Sequence, residues 1–333
     1  MLSSPGADGL AARDASGLRP RGHPSLPAAS AVAPSVAGLL TWADGAALLA
    51  VLVWGVNFPV LKLLMTVMDP LPLMFVRAAL SSVVLGGVLG LSGQWRFPAR
   101  RELRPFLTVS LAGFALNQVL YFYGLQLTSA SHSGLIFMLT PLLVFGMSHV
   151  LGQVRVDRLD LLGLALGVAG AVLILGLPTL GPTPVGGVTL LGDLLTVGAA
   201  VTWGVWTILT APLLRRHGTL LATTWITMLG GLGLLPLAVP GLLSQDWTRL
   251  SWPAVAAVIY SATVAGAFGS LLWYAALRRI GAARTAIYAN VESFFAVVAA
   301  ALLLGERVAW TSVLGGAAVA AGVLLTRRPG RAG

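Results

Sequence analysis

Cysteine is absent from the 333 residues, so disulfides, thiolate metal sites and cysteine nucleophiles are excluded. Charge is scarce too. Asp, Glu, Lys and Arg make up 10% of the chain, against about 25% in ordinary soluble domains. Acidic residues are the scarcer sign, 11 against 21 basic. No GxGxxG follows a strand pattern and no GxxxxGK[ST] occurs, which argues against nucleotide binding and against an ATP-driven pump acting alone. There is no HExxH, and no Asp falls in the middle of an apolar run. His132, His149 and His217 are scattered without metal-ligand spacing, and His23 lies near the N-terminus. An intramembrane protease or zinc hydrolase would have no recognisable catalytic set, and no cofactor is implied.

What the chain has is apolar length. It is 57% hydrophobic, with 40 Gly and 19 Pro, a mixture that suits closely packed and locally broken membrane helices. A span needs about 20 mostly apolar residues. The pattern accommodates ten: 46–66, 71–92, 106–127, 131–151, 159–177, 188–209, 220–241, 254–275, 283–303 and 308–326. Ten successive apolar runs exceed what one soluble core of this size can bury. The expected fold is an all-α polytopic membrane protein. Residues 1–42, rich in Ala, Gly, Ser and Pro, read as a disordered cytoplasmic tail; 327–333 form a second short tail.

The net charge of +10 suggests nucleic acid until the charges are located. They fall in short clusters between apolar runs. Arg96, Arg100, Arg101 and Arg104 form one, Arg215 with Arg216 another, and Arg278, Arg279 and Arg284 a third. With ten spans, these clusters and both tails share one side, and only Arg249 and Arg307 fall on outward links. Lys and Arg concentrate in cytoplasmic loops. The reading is therefore a multi-pass protein of the cell (inner or plasma) membrane with both termini cytoplasmic. Its partners are membrane lipid and a small-molecule substrate, with no nucleic acid. Nothing in the sequence marks an oligomeric state.

The two halves resemble each other. Tyr121/Tyr274, Ala130/Ala283, Leu151/Leu304, Gly152/Gly305 and Gly163/Gly316 share an offset of 153 positions, and Trp54-Gly55 matches Trp203-Gly204 at 149. The halves run over 43–177 and 188–326 with five expected helices each. Five is odd, so the second copy enters the membrane from the opposite side. Inverted repeats of this kind recur in transporters, with the substrate near the midplane between them.

Trp54-Gly55-Val56-Asn57-Phe58 followed by Lys62 resembles the first-helix signature of the ten-helix EamA-type members of the drug/metabolite transporter superfamily. Asn290-Val291-Glu292-Ser293-Phe294-Phe295-Ala296, ending at Leu304-Gly305-Glu306-Arg307, resembles their ninth-helix signature. Two departures are Ser293, where the family usually has Pro, and Gln153, where it usually has Glu. The resemblance covers roughly 46–326. It implies a secondary transporter exporting small metabolites, such as amino acids or related compounds, by alternating access through a central cavity. A membrane-embedded enzyme or a non-transporting scaffold is the alternative, and it would show catalytic residues clustered at one interface.

Ionisable groups inside spans are costly and are functional candidates. Lys62 and Arg77 lie toward the outer ends of their spans, where a ligand contact, an interhelical pair or snorkelling to the headgroups are all open. Glu292 is expected about nine residues into the ninth span. It must face a cavity, pair, or carry a proton, which makes protons a candidate coupling ion and an interhelical hydrogen bond the competing role. Asn57, Asn117, Gln118 and Tyr121 on one repeat and Trp203 and Trp206 on the other are polar or aromatic mid-span groups. They form the candidate substrate cavity, against a reading as interhelical packing. Tyr260 and Tyr274 read as interfacial belt residues.

Overall fold

The computed structural model describes residues 41–150, 157–175, 190–285 and 288–325. The expectations for the tails, for most of the link between the halves and for Gln153 lie outside these residues. Every regular element among the described residues is helical.

Helix α1 (Trp42–Leu64) starts where the Asp44 carboxylate reaches back to the Thr41 N–H and hydroxyl, both at 2.7 Å. Pro59 lies inside it and withdraws one backbone donor from its turn. Asp69 and Pro70 open α2 (Pro70–Leu91), with proline at a first-turn position whose N–H has no helical partner. Helix α3 (Arg100–Leu127) is closed at its start by Glu102, which accepts from Ala99 N–H at 3.0 Å. Its middle, Val109–Ala115, is wound as a wide π turn. Helix α4 is broken into Ala130–Phe137 and Thr140–Val150. Helix α5 (Arg158–Leu175) completes the first half.

Helix α6 (Leu190–His217) meets α7 (Thr219–Ser244) across the single residue Gly218, whose φ of +83° is the left-handed backbone that glycine tolerates. Helix α8 (Trp252–Gly281) carries a second π segment, Tyr260–Phe268. It breaks at Gly281, where φ is +79°. Helices α9 (Tyr288–Leu304) and α10 (Trp310–Leu325) end the described chain.

Among the described residues, seven helices are long and apolar enough to cross a membrane, and α9 and α10 are shorter apolar helices. The chain turns at Gly281 and residues 282–285 are helical again, so helical backbone is present at the expected start of 283. Glu292 lies eleven positions beyond that turn.

Small residues bring the helices into backbone contact. A Cβ at Gly170 would meet the Gly315 carbonyl at 2.5 Å, and one at Gly322 would collide with Gly163, so α5 and α10 pack directly on each other. Helix α1 packs on α8 and α9, while α6 packs on α3 and α4. Gly55 sets the α1–α9 approach against Phe295 and the Glu292 carbonyl; Gly204 sets the α6–α4 approach against Met147 and Val144. These two glycines belong to the Trp-Gly pair repeated in the sequence.

Candidate functional site: a cavity between the helices

A space of about 80 Å³ between the helices is lined from eight of them. Trp54, Asn57 and Phe58 come from α1, Arg77 and Ser81 from α2, and Phe114, Asn117, Gln118 and Tyr121 from α3. Phe137 of α4, Trp203 and Trp206 of α6, Thr227 of α7, Ser270 of α8 and Glu292 of α9 close it. The structure thus brings Asn57, Asn117, Gln118, Tyr121, Trp203, Trp206, Arg77 and Glu292 to one place. It does not bring Lys62 there.

A polar string ties four helices together at this depth. Asn117 Nδ2 donates to the Ala199 carbonyl of α6 at 2.8 Å. Gln118 Nε2 donates to Asn117 Oδ1 at 3.3 Å, and Arg77 Nη1 donates to Gln118 Oε1 at 2.9 Å. Arg77 Nε continues to the Ser261 carbonyl of α8 at 3.1 Å. The guanidinium carbon lies 5.7 Å from the Phe122 ring centroid, a cation–π distance. Arg77 is therefore held inside the bundle by acceptors and a ring, not extended to the headgroups.

The π segment of α8 explains where these acceptors come from. A π turn shifts the backbone ladder from its α register, and carbonyls in this stretch take side-chain donors from other helices. Ser261 accepts from Arg77, Ala262 from the Ser81 hydroxyl at 2.6 Å, and Ala265 from Trp54 Nε1 at 2.8 Å.

Aromatic rings form the rest of the wall. Trp54 and Trp203 stand edge to face at 5.4 Å, Trp203 and Trp206 at 4.9 Å, and Phe114 and Trp206 at 5.4 Å. Phe58, Tyr121 and Phe137 make a second trio, with centroids 5.3 to 5.7 Å apart. Two buried polar atoms on the lining residues, Asn57 Oδ1 and Trp206 Nε1, have no hydrogen-bond partner among the described residues. Glu292 makes no ion pair or hydrogen bond with any described residue. The interhelical hydrogen bond open to it in the sequence is not made.

Lys62 has a different task. It is 4% exposed, which rules out snorkelling. Its Nζ donates to the carbonyls of Leu125, Gln126 and Thr128 at 2.9, 2.9 and 2.6 Å. A cation over the terminal carbonyls of α3 satisfies groups that the helix cannot. Beside it, Thr128 Oγ1 donates to Asp193 Oδ1 at 2.5 Å, and the same carboxylate lies 3.3 Å from His132 Nδ1. Glu306 accepts from the Ala130 and Ser131 N–H groups at 2.9 and 2.8 Å, capping α4 from the α9–α10 link. Asp193 and His132 were not singled out by sequence reasoning. A signal was available: Asp44 and Asp193 carry the 149 offset of Trp54 and Trp203, and both are buried in the first turn of their helices. Asp44 accepts from Tyr288 OH of α9 at 2.7 Å.

Tyr260 and Tyr274 are not belt residues. Tyr260 OH donates to the Val53 carbonyl at 3.0 Å, and Tyr274 is 4% exposed with its ring 6.1 Å from Trp206.

The profile of the EamA-like transporter family matches residues 41–176 and again 190–328. An uncharacterized transporter of Archaeoglobus fulgidus is 26% identical over 278 residues, spanning 84% of this chain and 94% of its own. The uncharacterized transporter YdeK of Bacillus subtilis is 29% identical, covering 86% and 96%. A probable amino-acid metabolite efflux pump of Salmonella typhimurium is 25% identical, covering 84% and 92%. A crystal structure 19% identical to the chain superposes with a TM-score of 0.58 over 86% of this chain and 97% of its own, which shows a common fold. With two family matches that together span most of its length, and apolar helices long enough to cross a bilayer, the chain is a multi-pass membrane protein that belongs to the EamA-like transporter family.

Proposed function

We propose that the protein is a secondary transporter that exports small metabolites, amino acids or related compounds, by alternating access. Its ten spans are the seven long apolar helices together with α5, α9 and α10. They divide into two inverted five-helix repeats over 43–177 and 188–326, with both termini in the cytoplasm. The observation that carries the reading is the cavity, a polar and aromatic space within an apolar bundle to which both halves contribute. The exchange of neighbours supports the inversion, since α1 sits on α8 and α9 as α6 sits on α3 and α4. So do the π segments, one in the third helix of each half.

A volume of about 80 Å³ is far below the roughly 300–1,000 Å³ of sites that hold a metabolite-sized ligand. The reading therefore treats this conformation as constricted, and loading requires the helices to part on one side. The unpartnered Asn57 Oδ1 and Trp206 Nε1 are groups that a polar ligand would satisfy. The amino-acid assignment draws on the Salmonella relative. The test is purified protein in proteoliposomes, challenged with amino acids and aromatic compounds with and without an imposed pH gradient. Saturable uptake of at least one class supports the reading. Acceleration by the gradient supports proton coupling through Glu292. No uptake of any compound under either condition sinks the reading.

A further inference from the structure

We propose that the cavity selects an organic amine over the corresponding amino acid, with the ligand's ammonium on the Glu292 carboxylate and its apolar body against the aromatic wall. The proposal rests on the cavity being the transport site.

The two charges that line the cavity are not equivalent. Arg77 has its Nε on the Ser261 carbonyl, its Nη1 on Gln118 and its plane near Phe122. It makes no ion pair with Glu292. Its charge is already spread over acceptors that belong to the fold. Glu292 has no such partner, and a charged carboxylate among apolar helices is costly until it gains one. A ligand cation supplies that partner at no cost to existing bonds. A ligand carboxylate gains much less: to be held bidentately it must strip Arg77 from Gln118 or Ser261, which breaks the string joining α2, α3 and α8. A zwitterion thus meets a ready site at one end and an occupied one at the other.

The wall fits the same ligand. Ring faces attract a cation through their quadrupole, and aromatic cages with a nearby carboxylate suit ammonium groups. A neutral isostere would fill the same apolar volume and leave Glu292 unmet. A site with an unmet polar group discriminates strongly against a ligand that lacks the complementary group.

The tryptophans make the test direct. Intrinsic fluorescence of the purified full chain in lipid nanodiscs is titrated near neutral pH with phenethylamine, phenylalanine and 2-phenylethanol. Phenethylamine is expected to shift the emission saturably, with affinity about tenfold or more above both competitors. Glu292→Gln is expected to erase that preference, and Glu292→Asp, which keeps the charge, to retain most of it. Equal affinities for amine and alcohol in the native chain overturn the proposal without recourse to any variant. Tighter binding of phenylalanine, or an amine preference that survives in Glu292→Gln, also overturns it while leaving the cavity as a binding site. Silence with all three ligands overturns the proposal as well. Transport by Trp203→Ala then separates the two failures: impaired uptake keeps the cavity reading, and unchanged uptake removes both.

Discussion

At the scale of single residues, the structure separates groups that serve the cavity from groups that serve the frame. Trp203 touches Trp54 and Trp206 edge to face, and such pairs contribute about 0.5–1.5 kcal/mol each beyond burial. Trp203→Ala should impair transport or shift preference between aromatic and aliphatic substrates, with expression near native levels. Unchanged uptake across the substrate panel would show that this ring is not part of the site. Lys62 is a frame residue. Hydrogen bonds to charged groups contribute about 1.5–3 kcal/mol, and Lys62→Met leaves three carbonyls at the end of α3, two of them in buried hydrogen bonds, without their donor. Its thermal unfolding midpoint should fall by at least about 3 °C, while substrate selectivity, read from uptake ratios, stays as in the native chain. A selectivity change with a native midpoint would place Lys62 among the ligand contacts instead. From sequence, Lys62 was an intramembrane cation with three possible roles. Its acceptors are backbone carbonyls, which every residue carries, so no side-chain pattern could have named them. Glu292 was legible as an intramembrane acid, but its lack of a partner was not, since partnership is decided by helix rotation and not by residue type.

At the scale of the helices, hydropathy predicted where the apolar runs lie, because burial of about 20 apolar residues leaves a strong compositional mark. Edges fared less well for identifiable reasons. The first turns of α3 are charged, Arg100-Arg101-Glu102, and so fell outside a window seeking apolar residues. The π segments left no mark, since a π turn and an α turn use the same residues. Close approaches between helices were foreshadowed by small residues, but which glycine faces which helix was not. That distinction is testable. A methyl at Gly55 would sit 2.6 Å from Phe295 Cβ and 2.8 Å from the Glu292 carbonyl, whereas one at Gly87 meets nothing within 4 Å. Gly55→Ala should separate α1 from α9 and lower both the yield of folded protein and its unfolding midpoint. Gly87→Ala, near the C-terminal end of α2, should be neutral or stabilise by about 0.5–1 kcal/mol through helix propensity. Equal behaviour of the two variants in a detergent thermal melt would refute the α1–α9 contact.

At the scale of the whole molecule, the proposed inversion makes a prediction that no single helix carries. Reporter fusions at the C-terminus and within 178–187 should report opposite faces of the membrane, because five spans separate them. The same face for both would end the five-plus-five division. The two ends of the bundle are tied by different chemistry. Asp44 with Tyr288 joins α1 to α9 at one end, and Asp193 with Thr128 and His132 joins α6 to α3 and α4 at the other. Both ties begin from an aspartate in the first turn of its helix, and in the proposed alternating-access cycle each would loosen in turn.

The stretch Tyr260–Phe268 should obey an unusual rule of tolerance. Its carbonyls serve Trp54, Arg77 and Ser81, and backbone oxygens are indifferent to which side chains flank them. Exchanging one small apolar residue for another there should pass with little effect. Shortening the stretch by one residue is another matter. It would return the ladder to α register and reclaim the oxygens lent to Trp54, Arg77 and Ser81, even though the vanished π turn absorbs the missing residue and leaves Ser270, Trp273 and Tyr274 on their faces. In a library holding both kinds of change, survivors should be plentiful among replacements and absent among single-codon deletions. The length of this segment, more than its spelling, is what the fold must keep.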